Sequence, residues 1–225
     1  MSHTYEIEIK TLLGEEKNAI EFRAKLKEMY PGLTMQSSYS QLNHYFEGGD
    51  LADLCHKLST LLTDETVSKL KDVAEKGTGV SIRTREMNGQ AKFVLKASLG
   101  DDSSANGVAR IEIEEDVQCT LSELDEIILS CGYTYQAKWS RTREEYNIGD
   151  TTVCLDKNAG YGYLAEFERV VDDSANTEET KQDLYTLMEK MGVAELPQDR
   201  LERMFSHYNK HWPEYYGTDK VFVIE

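Results

Sequence analysis

The chain has 225 residues and carries 25 Lys and Arg against 41 Asp and Glu, a formal net charge of −16. At a rule of thumb of about 150 residues per domain, that length suits one domain with extensions, or at most two small ones. The apolar share of 40% excludes wholesale disorder, and the excess of acid excludes duplex nucleic acid as a partner. No run of about 18 apolar residues is available to span a membrane. Met1–Glu6 lacks a basic-then-apolar secretion signal, and Cys55, Cys119, Cys131 and Cys154 lack the paired spacing of a zinc site. A cytoplasmic chain with reduced thiols is expected.

The first element is a strand over Tyr5–Leu12, where Tyr5, Ile7 and Ile9 alternate with Glu6, Glu8 and Lys10. A helix follows from Glu15 to Met29, closed by Pro31-Gly32, and Ser38–Phe46 is again extended. Apolar residues at helical spacing predict two short helices, Leu51–Leu62 and Glu65–Glu75, with Thr63-Asp64 as break and cap. Val80–Met87 and Gln90–Ser98 flank Asn88-Gly89, a strong hairpin signal. The polar loop Gly100–Gly107 leads into a strand over Val108–Val117. Thr120-Leu121-Ser122-Glu123 is a capping box opening a helix that ends at Gly132. Strands over Lys138–Ile148, Thr151–Asp156 and Tyr163–Val171 come next. Helices over Thr177–Met191 and Gln198–Lys210, then a short strand Val221–Ile224, end the chain. With about eight strands and antiparallel neighbours dominant, the class is α+β.

Alternate residues of a strand share a face. One face of these strands carries Glu6, Glu8 and Lys10; Arg83 and Arg85; Lys92 and Lys96; Arg110, Glu112 and Glu114; Arg141 and Arg143; Asp156; and Glu166 and Glu168. The other is apolar, with Ile7, Ile9, Ile82, Phe93, Leu95, Ile111, Ile113, Ala165 and Phe167. Two architectures satisfy this alternation. One is an open antiparallel sheet with its ionic face in water; the other is a closed eight-stranded antiparallel barrel with that face inside and helices outside. Arginines two residues apart form a fork for phosphate oxygens. Carboxylates at the same spacing suit a hard divalent cation. A metal–polyphosphate complex needs both.

The order of these motifs resembles the CYTH, or triphosphate tunnel metalloenzyme, superfamily. Glu6-Ile7-Glu8-Ile9-Lys10 is similar to its ExExK signature, Asn43-His44-Tyr45-Phe46 to its aromatic segment, Arg83-Thr84-Arg85 to its RxR strand and Lys92–Lys96 to its lysine strand. Glu112-Ile113-Glu114 resembles its ExE strand, and Arg141-Thr142-Arg143 its later basic strand. Asp156 followed by Gly160-Tyr161-Gly162 and Glu166-Phe167-Glu168 resembles its ending. The resemblance implies a closed barrel, the triphosphate tunnel, over a single domain of residues 1–225. The chain departs from the family's compact pattern by a helical insertion at 47–79, where the family usually has a short connection, and it ends in a helical extension with a short strand at 176–225. It implies Mg²⁺ or Mn²⁺ held by Glu6, Glu8, Glu112, Glu114, Asp156, Glu166 and Glu168, with Glu112 and Glu114 alternatively bracing the basic residues. Phosphate would be held by Arg83, Arg85, Lys92, Lys96, Arg141 and Arg143, with Lys138 competing with Arg141 for the first basic position of its strand. Glu6, Glu8 and Lys10 would serve catalysis.

The function expected on this basis is metal-dependent hydrolysis of a small triphosphate: tripolyphosphate, ATP, or another nucleoside or thiamine triphosphate. The alternatives are a class IV-type adenylyl cyclase, making cyclic AMP and pyrophosphate, and a non-catalytic polyphosphate or nucleotide binder. No membrane partner is expected, and a homodimer is compatible with the sequence. The aromatics of Arg200–Tyr216 read as packing rather than a base platform. The pair His207 and His211, at i and i+4 but without a third ligand, reads as exposed helix residues.

Overall fold

The computed structural model describes residues 5–99, 109–171 and 177–225. In chain order these form β1 (Tyr5–Gly14), α1 (Glu16–Met29), β2 (Met35–Gly48), α2 (Leu51–Leu58), α3 (Asp64–Lys76), β3 (Gly77–Met87) and β4 (Gln90–Leu99). Then come β5 (Ala109–Asp116), α4 (Leu121–Ser130), β6 (Tyr133–Ile148), β7 (Thr151–Asn158), β8 (Gly162–Val171), α5 (Thr177–Met191) and α6 (Gln198–Tyr215). The eight strands hydrogen-bond in the order β1-β8-β7-β6-β2-β3-β4-β5. The class is α+β, as expected. Closure into a barrel is not found, because β1 and β5 end this order and no ladder joins them among the described residues. A barrel requires its first and last strands to pair. The loop expected at 100–107 lies outside the described residues.

Contacts divide the chain into two compact units, one of residues 1–40 and 140–225, the other of 41–139. In the first, Ile9 of β1, Phe167 of β8 and Val153 of β7 fall on one face, since Ile9 pairs with Phe167 and Phe167 with Val153. All three are buried against Phe22 and Leu26 of α1 and Leu184 and Met188 of α5. Phe22 meets Phe167 edge-on, with ring centroids 6.0 Å apart. Arg23 of α1 ties the helix to β6 through two bonds to Glu144, 2.8 and 2.9 Å long.

In the second unit, Ile82, Phe93, Leu95 and Ile113 form the apolar side of β3, β4 and β5. They pack on Leu54 and Leu58 of α2, Leu70 and Val73 of α3, and Leu124 and Ile128 of α4. Each helix starts on a side-chain cap: Asp50 for α2, Thr63 for α3, and the reciprocal Thr120–Glu123 box for α4. The β3–β4 hairpin turns at Asn88 and Gly89, both with positive φ, as a two-residue hairpin loop of this sequence requires.

Most expected elements differ by a few residues at their ends, as where β2 begins at Met35 rather than Ser38 and β6 at Tyr133 rather than Lys138, and three differences bear on the packing. The first insertion helix ends at Leu58 rather than Leu62. Leu61 and Leu62 still pack on the core, but in a turn bonded back to the Leu58 carbonyl, because the Thr63 cap must begin α3. α6 runs on to Tyr215, with Pro213 tolerated inside its last turns. The expected strand Val221–Ile224 is reduced to one bridge, between Gly160 and Val221. The tail is held instead by Phe222 in an aromatic cluster and by Arg200 donating to the Ile224 carbonyl. Gly160 has φ +75°, and a Cβ there would come within 2.8 Å of Phe222 and Tyr208. The C-terminal aromatics therefore pack closely, and Tyr208 is fully buried.

Candidate functional site

Register places the charged residues of the first unit in cross-strand rows. Glu8 pairs with Glu168, which pairs with Thr152; Lys10 pairs with Glu166, which pairs with Cys154; and Asp156 pairs with Arg143. At the centre is the Arg143 guanidinium. It donates from Nε to Asp156 at 2.7 Å, from Nη2 to Asp156 at 2.6 Å, and from Nη2 to Glu166. Arg143, Asp156 and Glu166 are 8%, 1% and 7% exposed. Arg141 also reaches Asp156, at 3.3 Å. Lys10 lies 3.1 Å from Glu166 and pairs with Glu8.

Burial alone would weaken the charged form of each buried group; here the partners win. Burial would lower the Arg143 pKa, yet hydrogen bonding and attraction from Asp156 and Glu166 raise it above the ordinary arginine value. Burial would raise that of Glu166, yet Lys10 and Arg143 hold it below the usual carboxylate range. The expected residue Glu6 pairs across strands with Val170, but its side chain lies outside the described part.

One ligand atom each from Cys154, Glu166 and Glu168 lie within 4.8 Å of one another. The oxygen donors fit a hard cation such as Mg²⁺ or Mn²⁺, and Asp156 shares a guanidinium with Glu166. Cys154 is fully buried, and burial pushes its thiol up to about 12, so it stands there protonated. The carboxylates are the donors that suit the metal.

The second unit groups the other basic residues. Arg85 donates to Asn43 at 2.9 Å and to Glu114 at 2.8 Å. Lys92 lies 2.8 Å from Asp116 and 3.5 Å from Glu114, and Lys96 lies 2.9 Å from Glu112. Glu112 and Glu114 therefore each lie beside basic residues of their own unit. Arg83 differs: its Nη1 donates to the Tyr45 hydroxyl at 3.1 Å, its guanidinium carbon sits 5.2 Å from the Tyr45 ring centroid, and its buried Nε has no hydrogen-bond partner among the described residues. Lys138 rests over the Tyr135 ring, 3.9 Å from its centroid, whereas Arg141 joins Arg143 at Asp156.

Several residues at these faces escape sequence reasoning. Glu145 accepts from Ser37 at 2.6 Å and from Tyr39 at 3.0 Å; its signal was the same alternation that links Arg141 and Arg143. On the helix side of the second unit, Asp125 accepts from Thr84 at 2.6 Å and from Tyr135 at 2.7 Å, and lies 2.6 Å from His44 Nδ1. His44 and Thr84 are the residues between Asn43 and Tyr45 and between Arg83 and Arg85, so this buried knot fixes both strands beneath the arginines. An Asp within the apolar stripe Leu121, Leu124, Ile128 was the available signal. His207 and His211 stack at 4.6 Å and bond to Tyr215 and Glu214, not to a third metal ligand among the described residues.

Residues 67–200 match the CYTH domain family. The chain belongs to that family. Solved structures similar to this CYTH chain include two from Pyrococcus horikoshii OT3. The PH1012 protein is 18% identical with TM-score 0.51, over 84% of this chain and 92% of its own. The PH1819 protein is 21% identical with TM-score 0.51, over 86% and 94%. A candidate adenylate cyclase from Vibrio parahaemolyticus is 14% identical with TM-score 0.51, over 90% and 98%. At these identities the likeness is one of fold. No curated protein matches the sequence. Among the described residues, no helix is long and apolar enough to cross a membrane.

Proposed function

We propose that this CYTH protein is a divalent-metal-dependent hydrolase of small triphosphate compounds, tripolyphosphate or a nucleoside triphosphate. The observation that carries the reading is the first unit's charged face, where Asp156, Glu166 and Glu168 adjoin two arginines and Lys10. A solvated strand face gains little from its ion pairs. Burying three ions together, Arg143, Asp156 and Glu166, with Lys10, Arg141 and Glu168 half-buried around them, is costly and unneeded for a fold, which favours a ligand of matching charge.

In this reading Glu6, Glu8, Asp156, Glu166 and Glu168 hold Mg²⁺ or Mn²⁺, with Glu112 and Glu114 bracing the basic residues of their own unit. When bound, the metal lowers the pKa of a water and neutralises developing phosphate charge. Arg83, Arg85, Lys92, Lys96, Arg141 and Arg143 bind and orient phosphate oxygens. Arg83 is the best prepared, since among the described residues no carboxylate occupies it. Lys10 stands beside the terminal phosphate and offsets its charge. Water oxygen bonds to the terminal phosphorus as the bridging P–O bond breaks, releasing orthophosphate and the shortened phosphate chain. We read residues 1–225 as one functional domain, with α2 and α3 as the helical part of the 47–79 insertion and 176–225 as an extension.

The test is tripolyphosphate hydrolysis by Glu6→Gln/Glu8→Gln protein with Mg²⁺ and with Mn²⁺. Loss of turnover with the far-ultraviolet spectrum unchanged is expected; hydrolysis at the wild-type rate would overturn the assignment.

A further inference from the structure

Two of the first unit's candidate metal ligands, Asp156 and Glu166, are already bonded to the protein's own cation. Arg143 binds both Asp156 oxygens and one of Glu166, and all three residues are buried. A dication entering between Asp156 and Glu166 would meet a guanidinium within a few ångströms, in a medium that screens poorly. The guanidinium would have to leave, and a buried positive charge cannot leave without a new anion. Conversely, Arg143 cannot turn to a phosphate while Asp156 and Glu166 lose their neutralising partner. Lys10 repeats the arrangement on a smaller scale, lying 3.1 Å from Glu166 and pairing also with Glu8.

We propose that Arg143 is a built-in competitor for the metal: in the free protein it closes the Asp156–Glu166 pair against divalent cations, and metal and triphosphate open it jointly. The inference rests on the triphosphatase reading for the identity of the second ligand, but the competition itself concerns this chain's own residues. It separates three roles for Arg143. A pure phosphate ligand would leave binding of metal alone unchanged when removed. A purely structural residue would weaken every ligand. A competitor, once removed, makes metal alone bind more tightly.

The experiment is calorimetric titration of the full chain with Mn²⁺ in the absence of any phosphate, comparing wild type with Arg143→Gln. The variant is expected to bind Mn²⁺ at least about fivefold more tightly, the lower end of typical coupling between sites. In the reciprocal arm, Asp156→Asn in EDTA should bind tripolyphosphate at least about fivefold more tightly than wild type, because Arg143 is partly released. Glu166→Gln takes that role if Asp156→Asn does not fold, and this arm decides alone if Arg143→Gln does not fold. Unchanged or weaker Mn²⁺ binding by folded Arg143→Gln would overturn the proposal, as would, where the wild type binds tripolyphosphate, unchanged or weaker binding of it in the reciprocal arm. If no variant binds tripolyphosphate at any Mn²⁺ concentration while Mn²⁺ alone still tightens in Arg143→Gln, the triphosphatase reading fails and the competition stands.

Discussion

The two compact units carry the same alternation of charged and apolar residues along their strands, yet they handle the charges differently. In the first, one ion cluster is sunk: Asp156 and Arg143 are 1% and 8% exposed. In the second, the charged strand face has no cluster that deep among the described residues: the side chains of Lys96 and Glu112 are 49% and 54% exposed, and that of Asp116 is 55% exposed. The second unit's buried polar chemistry sits on its other face, where Asp125 gathers His44, Thr84 and Tyr135 beneath the helices. Identical sequence patterns can therefore build a desolvated ion cluster or a solvated basic face. Depth, which alternation does not encode, decides which.

The largest expected effect that would break this comparison is at Asp156. Asp156→Ala leaves Arg143 short of its main partner in a buried place, and a loss of about 3–5 kcal/mol in urea unfolding is expected. The matching change in the second unit, Glu112→Ala, removes an exposed pair and should cost less than about 1 kcal/mol. Equal losses at the two positions would refute the difference in depth.

Next in size is Asp125→Ala, which removes the acceptor of the Thr84 and Tyr135 hydroxyls and the partner of His44 Nδ1. At about 1 kcal/mol for each of the three bonds lost, a loss of about 3 kcal/mol is expected. The same carboxylate predicts a pH dependence. Burial would raise its pKa, but the bonds from His44 and Thr84 outweigh that and hold it below the ordinary value. A depressed carboxylate stabilises the fold fully above its unfolded value of about 4, and the contribution fades as pH falls through the lowered folded value. Melting temperature followed from pH 7 to pH 2 should therefore drop below about pH 4 in the wild type, and less steeply in Asp125→Asn. The smallest effect is Thr120→Ala at the α4 capping box, about 1 kcal/mol by thermal melting.

Much of the fold is legible in the residues themselves. Tyr5, Ile7 and Ile9 against Glu6, Glu8 and Lys10 announce a strand, Asn88-Gly89 a hairpin, and Thr120 with Glu123 a helix start, because each signal is local. The ends of elements are less legible. Leu61 and Leu62 belong to the core but not to α2, since where a helix stops depends on how the next must dock. The short strand at 221–224 becomes one bridge because Phe222 seeks the Tyr208 cluster rather than a ladder. Barrel closure could not be read from alternation, which open and closed sheets share. The candidate site follows the same division. The charged set was visible residue by residue, whereas the choice of partner, Arg143 with Asp156 rather than Glu168, comes from register. Asp125 carries no local sign of its role, because two of its three partners lie 41 and 81 residues away along the chain.

The most direct test of the account is the product of ATP turnover by the purified wild-type chain with Mn²⁺ or Mg²⁺, separated chromatographically and compared with a metal-free control. Metal-dependent release of orthophosphate and ADP, with tripolyphosphate hydrolysed under the same conditions, is predicted. Cyclic AMP and pyrophosphate as the products, or no turnover of either compound with any divalent cation, would contradict it.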